Sequence, residues 1–138
     1  MNPLIISVAR ADRVAIGKGE YRVLIERRWP SGLSKRRLPI DAWLKDAAPS
    51  PGLCEWFERT PEQWDWFRDR YYRELESKPR ILEELYALVR KQPVKLIFCS
   101  ANEFRNHAVA LREFLFLKLS PSSPTASTSG ALLFERAS

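Results

Sequence analysis

The sequence predicts one small α/β domain, with a partly parallel sheet of about three strands packed by about four helices. Two observations carry this prediction. Short runs of β-branched and aliphatic residues are separated by longer segments whose apolar side chains recur at helical spacing. The order of these segments, with helices between the second and third run, is typical of a crossover between parallel strands. The length of 138 residues fits a single domain.

Three apolar runs, at residues 4–8, 21–25 and 94–98, predict the strands. The second run ends before Pro30, because proline cannot donate to a strand ladder and restricts the residue before it. We expect the third run to be the central strand of the sheet.

Two helices are predicted soon after the second strand. Residues 41–48 are expected to form a short helix capped by Asp41. Ser50 and Pro51 suit the N-cap and the first helical position of a second helix that extends to residue 57.

Three apolar stripes at helical spacing predict the remaining helices. The first of these helices is expected to begin at Thr60-Pro61-Glu62-Gln63, where Thr60 and Gln63 suit the two ends of a capping box. The other two are expected to begin near residues 77 and 103. The stripes are Trp64, Phe67, Tyr71 and Leu75; Leu82, Leu85 and Val89; and Phe104, Ala108, Leu111 and Leu115.

The composition changes after residue 119. Residues 120–138 are rich in Ser, Thr and Pro, and such a segment cannot bury enough apolar surface to order itself. We therefore predict a domain over residues 1–119 and a disordered tail over residues 120–138.

Charge and cysteine content narrow the classes of function. The net charge of +6 favours an anionic partner. The two cysteines form no framework and, with a single histidine, no zinc-finger pattern, so we expect reduced thiols, no metal site and a cytoplasmic protein. No apolar run approaches the ~20 residues that span a bilayer. No Walker, dinucleotide, HExxH or GxSxG motif is present, so no cofactor is predicted.

The candidate site lies where two strands end, because ligands of open α/β sheets bind beyond the carboxyl ends of the strands. The helix predicted from residue 103 would present free N–H groups to an anion. Arg27 would add a planar donor fork, and Trp29 an aromatic wall. The ligand-binding candidates are Arg27, Trp29, Ser100, Asn102 and Asn106, and the catalytic candidates are Glu26, Cys99 and His107.

Each catalytic candidate is chosen for a different chemical reason. Cys99 and Arg105 fit a Cys-x5-Arg pattern, which cradles a phosphate beside a thiolate, although Glu103 and the absence of a glycine argue against such a cradle. His107 is the only histidine, so any histidine-dependent proton transfer must use it, with Glu26 as the other candidate. The site is thus predicted to bind an anionic small ligand, with or without a reaction.

Structural roles are the alternatives at each of these positions. Arg27 is as well suited to an ion pair, Trp29 to the core, and Cys99 to an inert buried position. A hydrogen-bonded structural role suits His107 equally.

A nucleic-acid-binding module without catalytic activity is the alternative function. Lys35, Arg36 and Arg37 form a basic cluster near Trp29 and Trp43, and such clusters bind phosphates and bases. No recognised nucleic-acid motif accompanies the cluster, and a solvated loop is its ordinary role.

Three segments together resemble the YeaO-like family, a bacterial domain of unknown function. They are residues 22–35 (RVLIERRWPSGLSK), residues 41–75, which include WLKDAAPS, and residues 94–115 (VKLIFCSANEFRNHAVALREFL). The resemblance implies a small α/β fold and a cytoplasmic protein, but no established activity. Arg28 and Ser31 depart from the family pattern, and Ala101-Asn102 and Arg105-Asn106 stand where the family typically has Lys-Asp and His-Asn. These departures imply a divergent or inactive member.

Overall fold

The computed structural model describes residues 3–14 and 19–119. The predicted tail at residues 120–138 lies outside the described residues, so that domain boundary remains a prediction.

The described chain forms one parallel four-stranded sheet with four α-helices, which confirms the predicted α/β class and adds a strand. The strands are β1 (Ile6–Arg10), β2 (Tyr21–Leu24), β3 (Ala42–Trp43) and β4 (Val94–Phe98), in the order β1-β4-β2-β3. The helices are α1 (Pro51–Arg59), α2 (Trp64–Glu76), α3 (Pro79–Lys91) and α4 (His107–Leu119). Two 3₁₀ turns, Ala11–Arg13 and Lys45–Ala47, follow β1 and β3.

β4 is the central strand, as the sequence predicts, and it pairs with β1 on one side and β2 on the other. Leu96 lies opposite both Val8 and Val23. β1 begins at Ile6 rather than residue 4, because its register follows β4 from Ile6 opposite Val94 to Arg10 opposite Phe98.

The predicted helix over residues 41–48 is wrong. Ala42 and Trp43 instead pair with β2 as a short edge strand. The Asp41 carboxylate accepts a hydrogen bond from the Arg22 N–H at 2.8 Å, and the Asp41 N–H donates to the Arg22 carbonyl at the same distance. Asp41 therefore bonds across to β2, and this pairing overrides its tendency to cap a helix.

Of the two predicted helix starts near residues 50 and 60, only the first is confirmed. The Ser50 hydroxyl accepts a hydrogen bond from the Leu53 N–H, and α1 continues to Arg59. The capping box at residues 60–63 is wrong, because the Thr60 hydroxyl donates to the Trp56 carbonyl at 2.7 Å. Thr60 thus ends α1, and α2 begins at Trp64 without a side-chain cap.

The last helix begins at His107 rather than near residue 103. Asn102 Oδ1 accepts hydrogen bonds from the N–H groups of Phe104 and Arg105, both at 3.0 Å, and closes a turn. Asn106 Oδ1 accepts from the Val109 N–H at 3.0 Å and caps α4. Phe104 accordingly lies outside the helix and is 85% exposed.

The two faces of the sheet are covered differently. The four helices lie on one face, over a core that includes Val23, Leu96 and Phe98. The other face carries Leu24 and Ile97 and is covered by loops. We call these the helix side and the loop side. No helix within the described residues has the length and apolar composition needed to cross a membrane.

The buried Tyr71 ties α2 to the segment after β3, because its hydroxyl donates to the Ala47 carbonyl. Tyr71→Phe is expected to lower the free energy of unfolding by about 1–3 kcal/mol, since it leaves a buried carbonyl without its donor. Urea denaturation measures the change. Tyr86→Phe is the control, because the described residues offer its hydroxyl no hydrogen bond; equal losses in both variants would contradict the prediction.

Candidate functional site at the carboxyl ends of the strands

Glu26 connects the loops that follow β2 and β4. Its Oε2 accepts a hydrogen bond from the Cys99 N–H at 2.7 Å and lies 3.1 Å from His107 Nε2. All three catalytic candidates are therefore in contact. The Glu26 carboxylate occupies the backbone donor that a phosphate cradle at Cys99 would need.

His107 is buried, and its hydrogen bonds define its tautomer. Nε2 lies 2.8 Å from the Ile25 carbonyl oxygen as well as 3.1 Å from Glu26 Oε2. A carbonyl and a carboxylate only accept, so Nε2 carries a proton and donates to both. In the neutral ring, Nδ1 is then left as an acceptor.

A cavity of about 500 Å³ lies on the helix side of this edge. Its remaining wall comes from α1, α2 and the loop before α4, including Cys54, Phe57 and Arg105. Six of the eight predicted site residues line it: Glu26, Cys99, Ser100, Asn102, Asn106 and His107. We call it the helix-side cavity.

A second cavity, of about 630 Å³, lies on the loop side. Trp29 lines this loop-side cavity together with Arg10 and Arg28. Glu26 and Cys99 line both cavities and so form the wall between them.

Arg27 lines neither of these cavities. Its guanidinium donates to the carbonyls of Pro49 at 3.1 Å and Ala48 at 3.4 Å, and it lies 3.6 Å from the Asp46 carboxylate. Arg27 thus holds the segment before α1 against β2, which corresponds to the structural alternative.

Trp29 is fixed in place by the loop around it. Its indole N–H donates to the Leu33 carbonyl, and its ring packs edge-on against Trp43 with centroids 5.5 Å apart. Trp43 in turn donates to the Glu26 carbonyl at 2.6 Å. A smaller cavity of about 280 Å³ is lined by both indoles and by Lys35.

Both thiols are held in the protonated form. Partial burial and the Glu26 carboxylate raise the pKa of Cys99 to about 12, even though the residue is exposed at the surface. Burial and the carboxylates of Glu26 and Glu58 raise the pKa of Cys54 to about 11. Because α4 begins only at His107, its dipole is too distant to activate Cys99. These features argue against a Cys-x5-Arg phosphate cradle, and the catalytic role of Cys99 stays a prediction.

Arg28 is a cavity residue that sequence reasoning did not select for the small-ligand site, and Arg105 entered that reasoning only through the Cys-x5-Arg pattern. Both are exposed, and neither forms an ion pair with a described residue. The position of Arg28 beside Trp29 was the available signal. No group of three or more metal-ligating side chains lies close enough to hold an ion in the part of the chain that the structure describes.

Comparison with known proteins identifies the family. Residues 6–134 match the model of the inactive DUF488-N3 subclade. The chain belongs to this subclade.

Relatives found by sequence similarity support the same relationship, and they confirm the resemblance to the YeaO-like family. The chain is 34% identical over 95 residues to the uncharacterised protein YeaO of Escherichia coli K12, covering 69% of this chain and 83% of YeaO. It is 37% identical over 94 residues to uncharacterised proteins of Mycobacterium bovis and Mycobacterium tuberculosis, covering 68% of this chain and 79% of each. No solved structure matches significantly.

In this member of the subclade, the negative charge of Glu26 is expected to suppress the reactivity of Cys99. Glu26→Gln removes that charge and lowers the pKa of Cys99, so the thiolate fraction at pH 8 rises. Each unit by which the pKa of Cys99 falls should speed its alkylation by iodoacetamide about threefold. The thiolate becomes about tenfold more abundant, but each thiolate is a weaker nucleophile. Peptide mass spectrometry measures the rate at each cysteine.

Glu58→Gln is the matched control for this prediction. It removes a carboxylate that acts on Cys54, so alkylation should accelerate at Cys54 and not at Cys99. An unchanged Cys99 rate in Glu26→Gln would mean that the carboxylate does not govern this thiol.

Proposed function

We propose that this protein binds a small anion with a flat, apolar body in the loop-side cavity, and that it does so without catalysing a reaction. The observation that carries the proposal is Arg28. It lines the cavity next to Trp29, and its guanidinium has no ion pair within the described residues.

The charges around the loop-side cavity single out Arg28. The Arg10 guanidinium is engaged by Asp12, with Nε 2.8 Å from Oδ1, and lies 3.8 Å from Glu103. The Glu26 carboxylate already accepts hydrogen bonds from two donors. Among the described residues that line this cavity, Arg28 is the cation without an ion pair, and a guanidinium matches the geometry of a carboxylate or a phosphate.

The apolar part of the lining favours a flat ligand. Trp29 presents a large ring whose orientation is already fixed, so binding need not order it. Pro30, Leu33 and Ala101 extend the apolar wall. Stacking of a ring on the indole adds about 0.5–1.5 kcal/mol beyond the burial of area.

The helix-side cavity is a poorer place for an anion. It contains the carboxylates of Glu26 and Glu58 against one guanidinium, that of Arg105. The N–H groups expected near Asn102 are largely occupied by side-chain oxygens of the same loop. Arg28 therefore takes the anion-binding role that the sequence suggested for Arg27.

Two observations support binding without catalysis. The family description calls the subclade inactive. The thiols of Cys54 and Cys99 have raised pKa values and are poor nucleophiles at neutral pH.

The test is thermal stabilisation by benzoate and by phenyl phosphate, with benzyl alcohol as the neutral counterpart of benzoate. A ligand that binds only the folded state raises the melting temperature with its concentration. Both anions should stabilise the protein more than benzyl alcohol or inorganic phosphate does. Comparing the two anions distinguishes a carboxylate from a phosphate as the preferred group.

Arg28→Ala should weaken anion binding at least about tenfold, as expected for loss of hydrogen bonds to a charged group. Arg80→Ala removes the same charge from the exposed start of α3 and should leave binding unchanged. Each shift is measured against the variant's own melting temperature. The proposal fails if benzoate and phenyl phosphate leave the wild type unstabilised, or if Arg28→Ala binds them as well as Arg80→Ala does.

Nucleic-acid binding is a second candidate because of the small cavity that Trp29 and Trp43 help to line. Its volume of about 280 Å³ can admit one base, and Lys35, which also lines it, adjoins the exposed Arg36 and Arg37. Stacking of bases on aromatic side chains beside cations is the usual mode of single-strand binding.

Retention of a fluorescent single-stranded oligonucleotide tests this candidate. Replacing Lys35, Arg36 and Arg37 together by Ala should reduce the affinity and flatten its dependence on salt. Replacing Arg59, Arg80 and Lys91 removes the same charge elsewhere and should have a smaller effect. Equal affinities of the two triple variants would reject a site at Lys35.

A further inference from the structure

We propose that the helix-side cavity is a separate binding site for a small flat ligand that carries an O–H or ring N–H group and donates it to His107 Nδ1. This goes beyond the anion site proposed for the loop side, because it concerns another cavity, another face of the sheet and another class of ligand.

The direction of the hydrogen bond follows from the partners of His107. Nε2 is committed as a donor to the Ile25 carbonyl and the Glu26 carboxylate, at 2.8 and 3.1 Å. In the neutral imidazole, which has one donor and one acceptor nitrogen, Nδ1 can therefore only accept. A ligand meeting this nitrogen must bring the proton.

Nδ1 is the unused polar atom of a buried side chain. The His107 side chain is only 10% exposed. Nδ1 has no hydrogen-bond partner within the described residues. It keeps some exposure to solvent, because Arg68 Nε is the only fully buried side-chain nitrogen or oxygen without a partner among those residues. His107 lines the helix-side cavity, and from this we infer that a donor reaches the nitrogen through that cavity.

The His107 imidazole that carries the accepting Nδ1 is held rigidly by its neighbours. Glu26 is fixed by the Cys99 N–H at 2.7 Å, and the backbone of Ile25 is fixed by its own hydrogen bond to the Ile97 carbonyl at 3.1 Å. The imidazole is thus oriented before any ligand arrives, and preorganisation lowers the entropic penalty of binding.

The rest of the cavity favours a flat body. Phe57 and Phe67 stack with ring centroids 4.3 Å apart, and both line the cavity near Pro61. The thiols of Cys54 and Cys99 also line the cavity, and they are neutral because their pKa values lie well above neutrality. Their sulfur atoms are polarisable. A ring that covers this wall can direct one polar group at His107.

The charge of the cavity selects donors over anions. Glu26 and Glu58 bring two carboxylates, whereas Arg105 brings one guanidinium. A hydroxyl or ring N–H is attracted by this surplus of acceptors, and an anion is repelled. The two cavities therefore divide ligands by their charge.

The test uses phenol as the probe and anisole as its matched control, because methylation removes the donor and keeps the ring. His107 is the only histidine, so a long-range ¹H–¹⁵N spectrum of the native chain shows one imidazole. In the free protein the spectrum should report a protonated Nε2 and an unprotonated Nδ1. Phenol should shift the Nδ1 resonance in a saturable manner, and anisole should bind roughly fivefold more weakly without that shift.

Two variants separate this site from the loop-side cavity and from simple loss of structure. His107→Phe removes the accepting nitrogen, so it should abolish the preference for phenol over anisole, and circular dichroism shows whether the variant stays folded. Arg28→Ala should leave the phenol-dependent shift unchanged, since Arg28 lines only the other cavity.

Three results would overturn the inference. One is an Nδ1 that carries the proton in the free protein. Another is an Nδ1 resonance that phenol and anisole shift equally, or that neither shifts. The third is a preference for phenol that survives in a folded His107→Phe variant. None of these results bears on whether benzoate binds beside Arg28, so the two proposals can fail independently.

Discussion

The hydrogen bonds of the Glu26 carboxylate organise the edge of the sheet where the candidate site lies. One oxygen receives the Cys99 N–H after the central strand and the His107 Nε2–H at the start of α4. Three segments far apart in the chain thereby meet at the carboxyl ends of two neighbouring strands. The same contacts set the tautomer of His107, raise the pKa of Cys99 and occupy a backbone donor that an anion would otherwise use.

Because Glu26 and Cys99 stand at the edge of the sheet, they also divide the space beyond it. Helices wall the cavity on one side, and the loops that carry Arg28 and Trp29 wall the cavity on the other. The two spaces differ in charge and in the hydrogen-bonding groups they offer. A single sheet edge can therefore hold two chemically distinct pockets, and the aromatic packing of Trp29 on Trp43 keeps the loop-side wall in place.

Local sequence patterns succeeded where an element's stability comes from its own residues. The apolar runs of β2 and β4, the Ser50–Pro51 start of α1 and the stripe of Phe67, Tyr71 and Leu75 in α2 are such cases. Local patterns failed at Asp41, Thr60 and residues 103–106. In each case another hydrogen bond competed with helix capping. Asp41 bonds across to β2, Thr60 bonds back to the end of α1, and Asn102 bonds within its own turn.

The sequence by itself determined the α/β class, the family, the central strand and the edge of the sheet at which six of the eight candidate residues assemble. Only the tertiary structure decided which arginine faces a cavity, how Glu26 divides the edge, and which nitrogen of His107 is left to accept. Arg27 and Arg28 are adjacent and chemically identical, so no local pattern separates them. Their roles differ because Arg27 meets the carbonyls before α1, whereas Arg28 meets no carbonyl among the residues that the structure describes. Such long-range pairing leaves no mark on periodicity or composition.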